Sequence, residues 1–306
     1  ATNSISRLVV NDFVKDEHGQ FVSSGNPDRY ISIILHRRVP EEARGYRTLQ
    51  PSILPDGPPL RLPSSLPPAG TIQLTLAVKN IVGEGRCGSV YSTSLSRLLD
   101  LSDKSVDISE PDLPFLPGLV IKVADQARLE DLANEASMYD EMECLQGVAI
   151  PLCYGWLEAD IDRRWQIPST STDNTKLFGS NFRSNRLSIL LLERVGELVP
   201  LGDRLLDRSD IWAIFSDLSR LGIDQPDMRY SNILTSSDST ISTQGASLPS
   251  KICPYHRCVH KYRAVDFDRA RKTDWTLKQH YYQQVGALGR LLEMMEMNVI
   301  LEPWEY

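Results

Sequence analysis

Apolar and polar residues alternate on both sides of a glycine-rich turn. Leu74, Leu76, Val78, Ile81 and Val82 lead into it, and Val90, Tyr91 and Thr93 lead out. That period-two, β-branched pattern predicts two strands joined by Gly83-Glu84-Gly85-Arg86-Cys87-Gly88-Ser89-Val90. Upstream, Leu8-Val9-Val10 and Tyr30-Ile31-Ser32-Ile33-Ile34-Leu35 read as two further strands that add β-structure. Leu119-Val120-Ile121-Lys122 is a short apolar strand, and Leu187 to Leu192 is another that runs into Glu193-Arg194-Val195. Helical spacing replaces alternation in three places. From Leu129 to Met142, residues Leu132, Ala136, Tyr139 and Met142 share one face; Ile211 to Leu221 and Leu277 to Met295 repeat the pattern.

Punctuation between these runs suggests an organisation. Prolines cluster at 50–69, with Pro58-Pro59 and Pro67-Pro68, and read as an extended linker. The acidic, proline-bearing stretch 100–118 and the segment from about 160 to 185 read as loop insertions. The expected division is therefore 1–70 as an N-terminal extension and linker, 71–195 as a first lobe with its hinge, and 196–306 as a second lobe carrying an insertion at 236–262.

Composition narrows the function classes. A net charge of −7 carries no basic footprint for nucleic acid. No apolar run approaches the roughly 18 residues of a membrane span, and Ala1 to Arg7 lacks the charged-then-apolar order of a signal peptide. Five cysteines in no tight framework read as reduced thiols, so a cytoplasmic protein without membrane attachment is expected.

The candidate chemistry lies at intervals along the chain. The turn fits G-x-G-x-x-G-x-V, in which Gly83, Gly85 and Gly88 let backbone amides approach phosphate oxygens and Val90 opens the next strand. A helix-opening dinucleotide loop has the same glycine spacing, but Ser89-Val90-Tyr91-Ser92-Thr93 is β-prone, which excludes it. Lys122 sits at the end of an apolar strand, where an ammonium is costly unless it faces an anion. Glu135, with Glu130 as the rival, lies on the following helix as its partner. Asp227 and Asn232 stand five positions apart before an apolar strand, and Ala264-Val265-Asp266-Phe267-Asp268 follows. Each piece also has a plain reading: a ligand-free hairpin, an edge-strand charge, a turn aspartate after Pro226.

Taken in order, the five pieces resemble the motifs of the protein-kinase-like superfamily, in the style of divergent fungal kinase-like proteins or aminoglycoside-phosphotransferase-type small-molecule kinases. The resemblance covers residues 83 to 268 and implies an α+β, bilobal protein-kinase-like fold: a small β-rich N-lobe, a short and mainly helical C-lobe, and an N-terminal β extension. It implies ATP and Mg²⁺ or Mn²⁺ as cofactors, and an unidentified hydroxyl acceptor, with room for a protein partner. Lys122 paired with Glu135 would hold the phosphates, Asn232 and Asp266 the metal, and main-chain groups near Glu193 and Val195 the adenine. Asp227 would orient the acceptor hydroxyl or take its proton, and Arg229 would reach the γ-phosphate.

The departures are equally specific. Gln225-Pro226 replaces the usual His-Arg, Asp268 replaces the glycine after Phe267, and no Ala-Pro-Glu follows. Only 38 residues follow Asp268, which tilts the expected acceptor toward a small molecule or an unusual protein site. The alternative is a pseudokinase that binds or scaffolds without turnover; transfer of a nucleotide in place of a phosphoryl group also stays open. Cys253, His256, Cys258 and His260 fall outside the resemblance. Their types suit zinc, whereas their close spacing reads better as a strand of the hairpin before Asp266.

Overall fold

The computed structural model describes residues 3–16, 22, 31–43, 45–46, 58–103, 105–109, 118–162, 164–168, 186–202, 206–236 and 250–300. Its largest feature is the long hairpin of β4 (Ile72–Glu84) and β5 (Gly88–Asp100), whose tip is the glycine-rich turn. Three register shifts bend this hairpin, and bending lets a sheet curl toward closure.

Closure comes from the N-terminal strands. β1 (Ile5–Asn11) pairs in parallel with β4 and antiparallel with β2 (Ser32–Arg38), and β2 continues to β8 (Cys153–Asp160). From β8 the sheet runs through β9 (Arg186–Glu193) and β7 (Leu119–Ala124) back to β5. Seven strands close in the order β4-β1-β2-β8-β9-β7-β5, and β6 (Asp107–Ser109) adds to the rim of β5. The β3 pair (Gly45–Tyr46) lies elsewhere, in parallel with β13 (Arg271–Thr273).

The expected bilobal kinase-like fold with a helical second lobe is therefore corrected: the molecule is mostly β, built around a closed seven-stranded barrel. The described residues contain three α-helices: α1 (Leu129–Glu141), α2 (Arg208–Arg220) and α3 (Leu277–Glu296). The physical reason is the role of β1 and β2. Read as an appended extension, they leave an open sheet; inserted between β4 and β8, they remove its edges. Between α2 and α3 the described residues form one 3-10 turn (Tyr230–Asn232) and short pairs, β10 (Ile223–Asp224) with β13 and β11 (Ile233–Thr235) with β12 (Tyr262–Ala264), in place of further α-helices.

Strand alternation then sorts the side chains. Leu119, Ile121 and Val123 point into the barrel with Leu8, Leu35 and Leu157, while Val120 and Ala124 join the outer core beneath α1 and α2. Lys122 shares that outer parity, which sends it toward α1 and away from the apolar interior. A slip of one residue would put its ammonium inside the barrel, so the hydrophobic pattern itself fixes the register. The described part of the proline-rich segment, 58–70, lies along the end of α1, where Arg61 pairs with Asp140 and Ser64 and Ser65 hydrogen-bond Glu143. Residues 50–57, 110–117, 169–185 and 237–249, which complete the linker and the expected insertions, lie outside the described residues, as does Tyr30.

Candidate functional site

Local sequence places the chemistry. The register of β5 against β7 sets Val90 opposite Lys122 and Gly88 opposite Ala124, so the glycine turn and the lysine strand share one ladder. On α1, residues Asp131, Asn134 and Glu135 fall on one helical face because they are three and four positions apart. Lys122 Nζ donates to Glu135 Oε2 at 2.5 Å and also to Asp266 Oδ1. The rival Glu130 takes no part in this pair. Glu135 Oε1 in turn accepts from the Phe267 amide at 3.3 Å, tying the helix to the Asp266-Phe267-Asp268 segment.

Asp266 occupies a left-handed backbone conformation, with φ at +66°, a strained position for a residue that carries a side chain. Its neighbours hold it there: Gln225 Nε2 donates to its carbonyl at 2.6 Å, and Asn134 Nδ2 donates to the carbonyls of Asp268 and Ala270 at 3.0 and 3.1 Å. The glycine turn lies directly over this carboxylate. A Cβ built on Gly85 would lie 3.9 Å from Asp266 Oδ2, with no closer neighbour. From the same turn, Arg86 reaches down to Asp131 at 3.0 Å and Asp268 at 2.9 Å.

Asp227 and Asn232 come from the segment after α2. The Asn232 side-chain amide donates to the Asp227 carbonyl at 3.0 Å, closing the loop between them. Arg229 clasps the Asp227 carboxylate through Nε at 2.8 Å and Nη2 at 2.6 Å. Asp227, Asp266 and Asp268 each bring one carboxylate oxygen to within 4.8 Å of the others. Asp268 Oδ1 is buried and takes no hydrogen bond. A cluster of hard oxygen donors with one left over fits a divalent cation such as Mg²⁺.

The titration behaviour follows from burial and charge. Burial pulls the Lys122 ammonium down, but Glu135 and Asp266 outweigh it and hold Lys122 above its ordinary range. Burial raises Glu135 to about 7 against the pull of Lys122. Asp266 is pushed up by burial, yet Lys122, Arg229 and Arg86 bring it below the usual carboxylate range, whereas burial and the charge on Asp266 raise Asp268. Burial pushes the Cys87 thiol up to about 12, which leaves it unreactive at neutral pH.

The remaining expected positions divide. Gly83 packs near Val90: a Cβ built on it would lie 3.8 Å from the Val90 Cβ, an ordinary contact. The Glu193 amide is committed to the Leu152 carbonyl at 2.9 Å and its carboxylate to the Leu152 amide at 3.0 Å, the Arg194 amide donates to the Gly118 carbonyl at 2.8 Å, and the Val195 side chain is buried. The Cys258-Val259-His260 strand is a correction. Arg257 turns the chain at φ +58°, and pairing with β11 begins only at Tyr262. Sequence reasoning missed Arg86 and Asn134. Their signals were an arginine inside the turn and the polar face it shares on α1 with Asp131 and Glu135. No protein-family model matches the chain, and no curated protein does.

Proposed function

We propose that this chain is an ATP-dependent phosphotransferase that moves the γ-phosphoryl group to an acceptor hydroxyl. The observation that carries this reading is Lys122, held between Glu135 and Asp266 directly beneath the Gly85 turn. A buried ammonium locked by a helix carboxylate is a fixed counter-charge for phosphate, and a turn without side chains is the cover that phosphates need. The order of motifs that resembles protein-kinase-like enzymes supports the same chemistry, carried here on a barrel.

Each residue has a task that its surroundings permit. Lys122 neutralises phosphate oxygens that compete with Asp266 for it. Asp266, Asp268 and Asn232 supply the oxygen donors for Mg²⁺ or Mn²⁺, which when bound lowers the charge repulsion on the phosphates. Asp227 takes the proton of the acceptor hydroxyl as its oxygen attacks the γ-phosphorus. The bond from that phosphorus to the β,γ-bridging oxygen breaks, and ADP leaves. Arg229, already bound to Asp227, is placed to turn toward the transferring group. A cytoplasmic setting belongs to the same proposal, supported by five free cysteines. No helix among the described residues is long and apolar enough to cross a membrane.

One observation favours the pseudokinase alternative: Arg229 engages both oxygens of Asp227, which in that role would be a locked turn. The deciding experiment measures ATP binding with and without Mg²⁺ or Mn²⁺ in the wild type and in Asp266→Asn. Mass analysis of products from a panel of hydroxyl acceptors accompanies it. Metal-dependent binding that Asp266→Asn abolishes, together with a phosphorylated product, supports the enzyme. Binding without transfer or ATP hydrolysis selects the pseudokinase, and no binding at all overturns both.

A further inference from the structure

A second polar cluster lies away from the phosphate site, between α2 and the loop that leads into β12. Cys253 Sγ lies 3.0 Å from Asp217 Oδ2 and 3.6 Å from His256 Nδ1. His260 Nε2 lies 3.1 Å from Asp217 Oδ2. His256 Nδ1 and Asp217 Oδ1 approach to 3.0 Å without hydrogen-bond alignment, so that Oδ1 has no hydrogen-bond partner although the side chain is fully buried. Four donor atoms of three elements thus converge within 4.8 Å of one another. Zn–N and Zn–O bonds of about 2.0–2.1 Å and Zn–S of about 2.3 Å set tetrahedral ligand atoms roughly 3.3–3.7 Å apart; the separations here, 3.0 to 3.6 Å, need to open by only a few tenths of an ångström to admit the ion.

We propose that Asp217, Cys253, His256 and His260 form a structural zinc site that staples the 253–260 loop to α2. Three features beyond ligand type support it. The amides of Tyr255 and His256 point at Cys253 Sγ at 3.4 and 3.3 Å, an arrangement that stabilises a thiolate. His260 Nδ1 faces Asp210 Oδ1 at 2.6 Å, which leaves Nε2 for the metal with a carboxylate behind the ring. The Lys261 amide holds the other Asp210 oxygen at 2.8 Å. One thiolate and one carboxylate neutralise the two charges of Zn²⁺, which suits a buried centre. Four protein ligands leave no open position, the mark of a structural site.

The placement has a purpose. β12 starts two residues after His260 and ends two residues before Asp266, while α2 leads through Gly222 to Asp227. A metal joining α2 to this loop would fix both arms that enter the phosphate site, although the inference does not depend on what that site does. A rival set of Asp210, Cys258 and His260 is also close enough to share an ion, and it uses the exposed thiol.

The test is metal analysis of the purified full chain, with Co²⁺ substitution of the wild type. One equivalent of zinc is expected, with intense visible bands of tetrahedral Co²⁺ and a thiolate-to-Co²⁺ charge-transfer band on exchange. Cys253→Ser should lose the metal and that band, and Cys258→Ser should retain both. Absence of zinc with no tetrahedral Co²⁺ spectrum overturns the proposal. So does loss of metal in Cys258→Ser with retention in Cys253→Ser. Where Cys253→Ser fails to fold, the wild-type spectrum together with its retention in Cys258→Ser decides.

Discussion

Gly88 backs onto the Val123 carbonyl so closely that a Cβ on it would lie 1.9 Å from that oxygen, at a φ of +155°. At Gly85, three residues earlier, an added Cβ would meet nothing nearer than 3.9 Å, and the backbone is ordinary. One glycine is thus required by barrel packing and the other only by what lies beneath the turn. Gly88→Ala should cost about 2 kcal/mol or more in urea denaturation. Gly85→Ala should stay within about 0.5 kcal/mol of wild type and yet weaken ATP binding. Unchanged ATP affinity in Gly85→Ala would count against phosphates under this turn.

Lys122 neutralises two carboxylates, one of them almost fully buried. Lys122→Ala should therefore lose ATP binding and also destabilise the fold by about 3–5 kcal/mol, the cost of stranding a buried charge. Lys122→Met with Glu135→Gln should recover much of the stability without recovering nucleotide. A single-mutant cost below about 1 kcal/mol would mean that the pair is not buried as described.

Asp227→Asn should lower turnover by roughly a hundredfold or more and leave ATP affinity nearly unchanged, because proton acceptance matters most in the transition state. Thermal stability serves as the control, since the Asn232 contact goes to the Asp227 main chain and survives the change. Equal losses in affinity and turnover would place Asp227 in binding.

Asp207 caps α2, accepting from the Asp210 amide at 3.2 Å and from Lys261 at 2.8 Å. Lys261 and Ser209 hold its carboxyl down at about 2. A depressed folded-state pKa contributes stability above the unfolded value of about 4, and that stability fades as pH falls toward 2. Asp207→Ala should thus cost about 1 kcal/mol at pH 7. Near pH 2 the gap between mutant and wild type should have narrowed; a gap that is constant with pH would rule out the charged cap.

The glycine turn, the Lys122 strand and the helix of Glu135 were legible because each is set by spacing within a few residues. Barrel closure was not, because β1 and β4 are joined by pairing across more than sixty residues, and nothing in either strand names its partner. The same limit hid Asp217. Helical periodicity explains why it faces inward from α2, but the Cys253 to His260 run gives no hint that its fourth ligand lies 36 residues upstream. Asp268 was visible as a departure from a motif, yet its partner Arg86 became apparent only once the turn was folded over it.

The parallel pairing of β1 with β4 also sets a timetable. β1, made before the rest of the barrel, can find both neighbours only after Ile72–Glu84 exists, and the ring cannot shut until Arg186–Glu193 has left the ribosome. During that interval the early β1–β2 hairpin carries exposed edges and an apolar face with nothing to cover it. Such long-range closure slows folding. During synthesis, this places the greatest risk of wrong pairing between chains before the last barrel strand arrives.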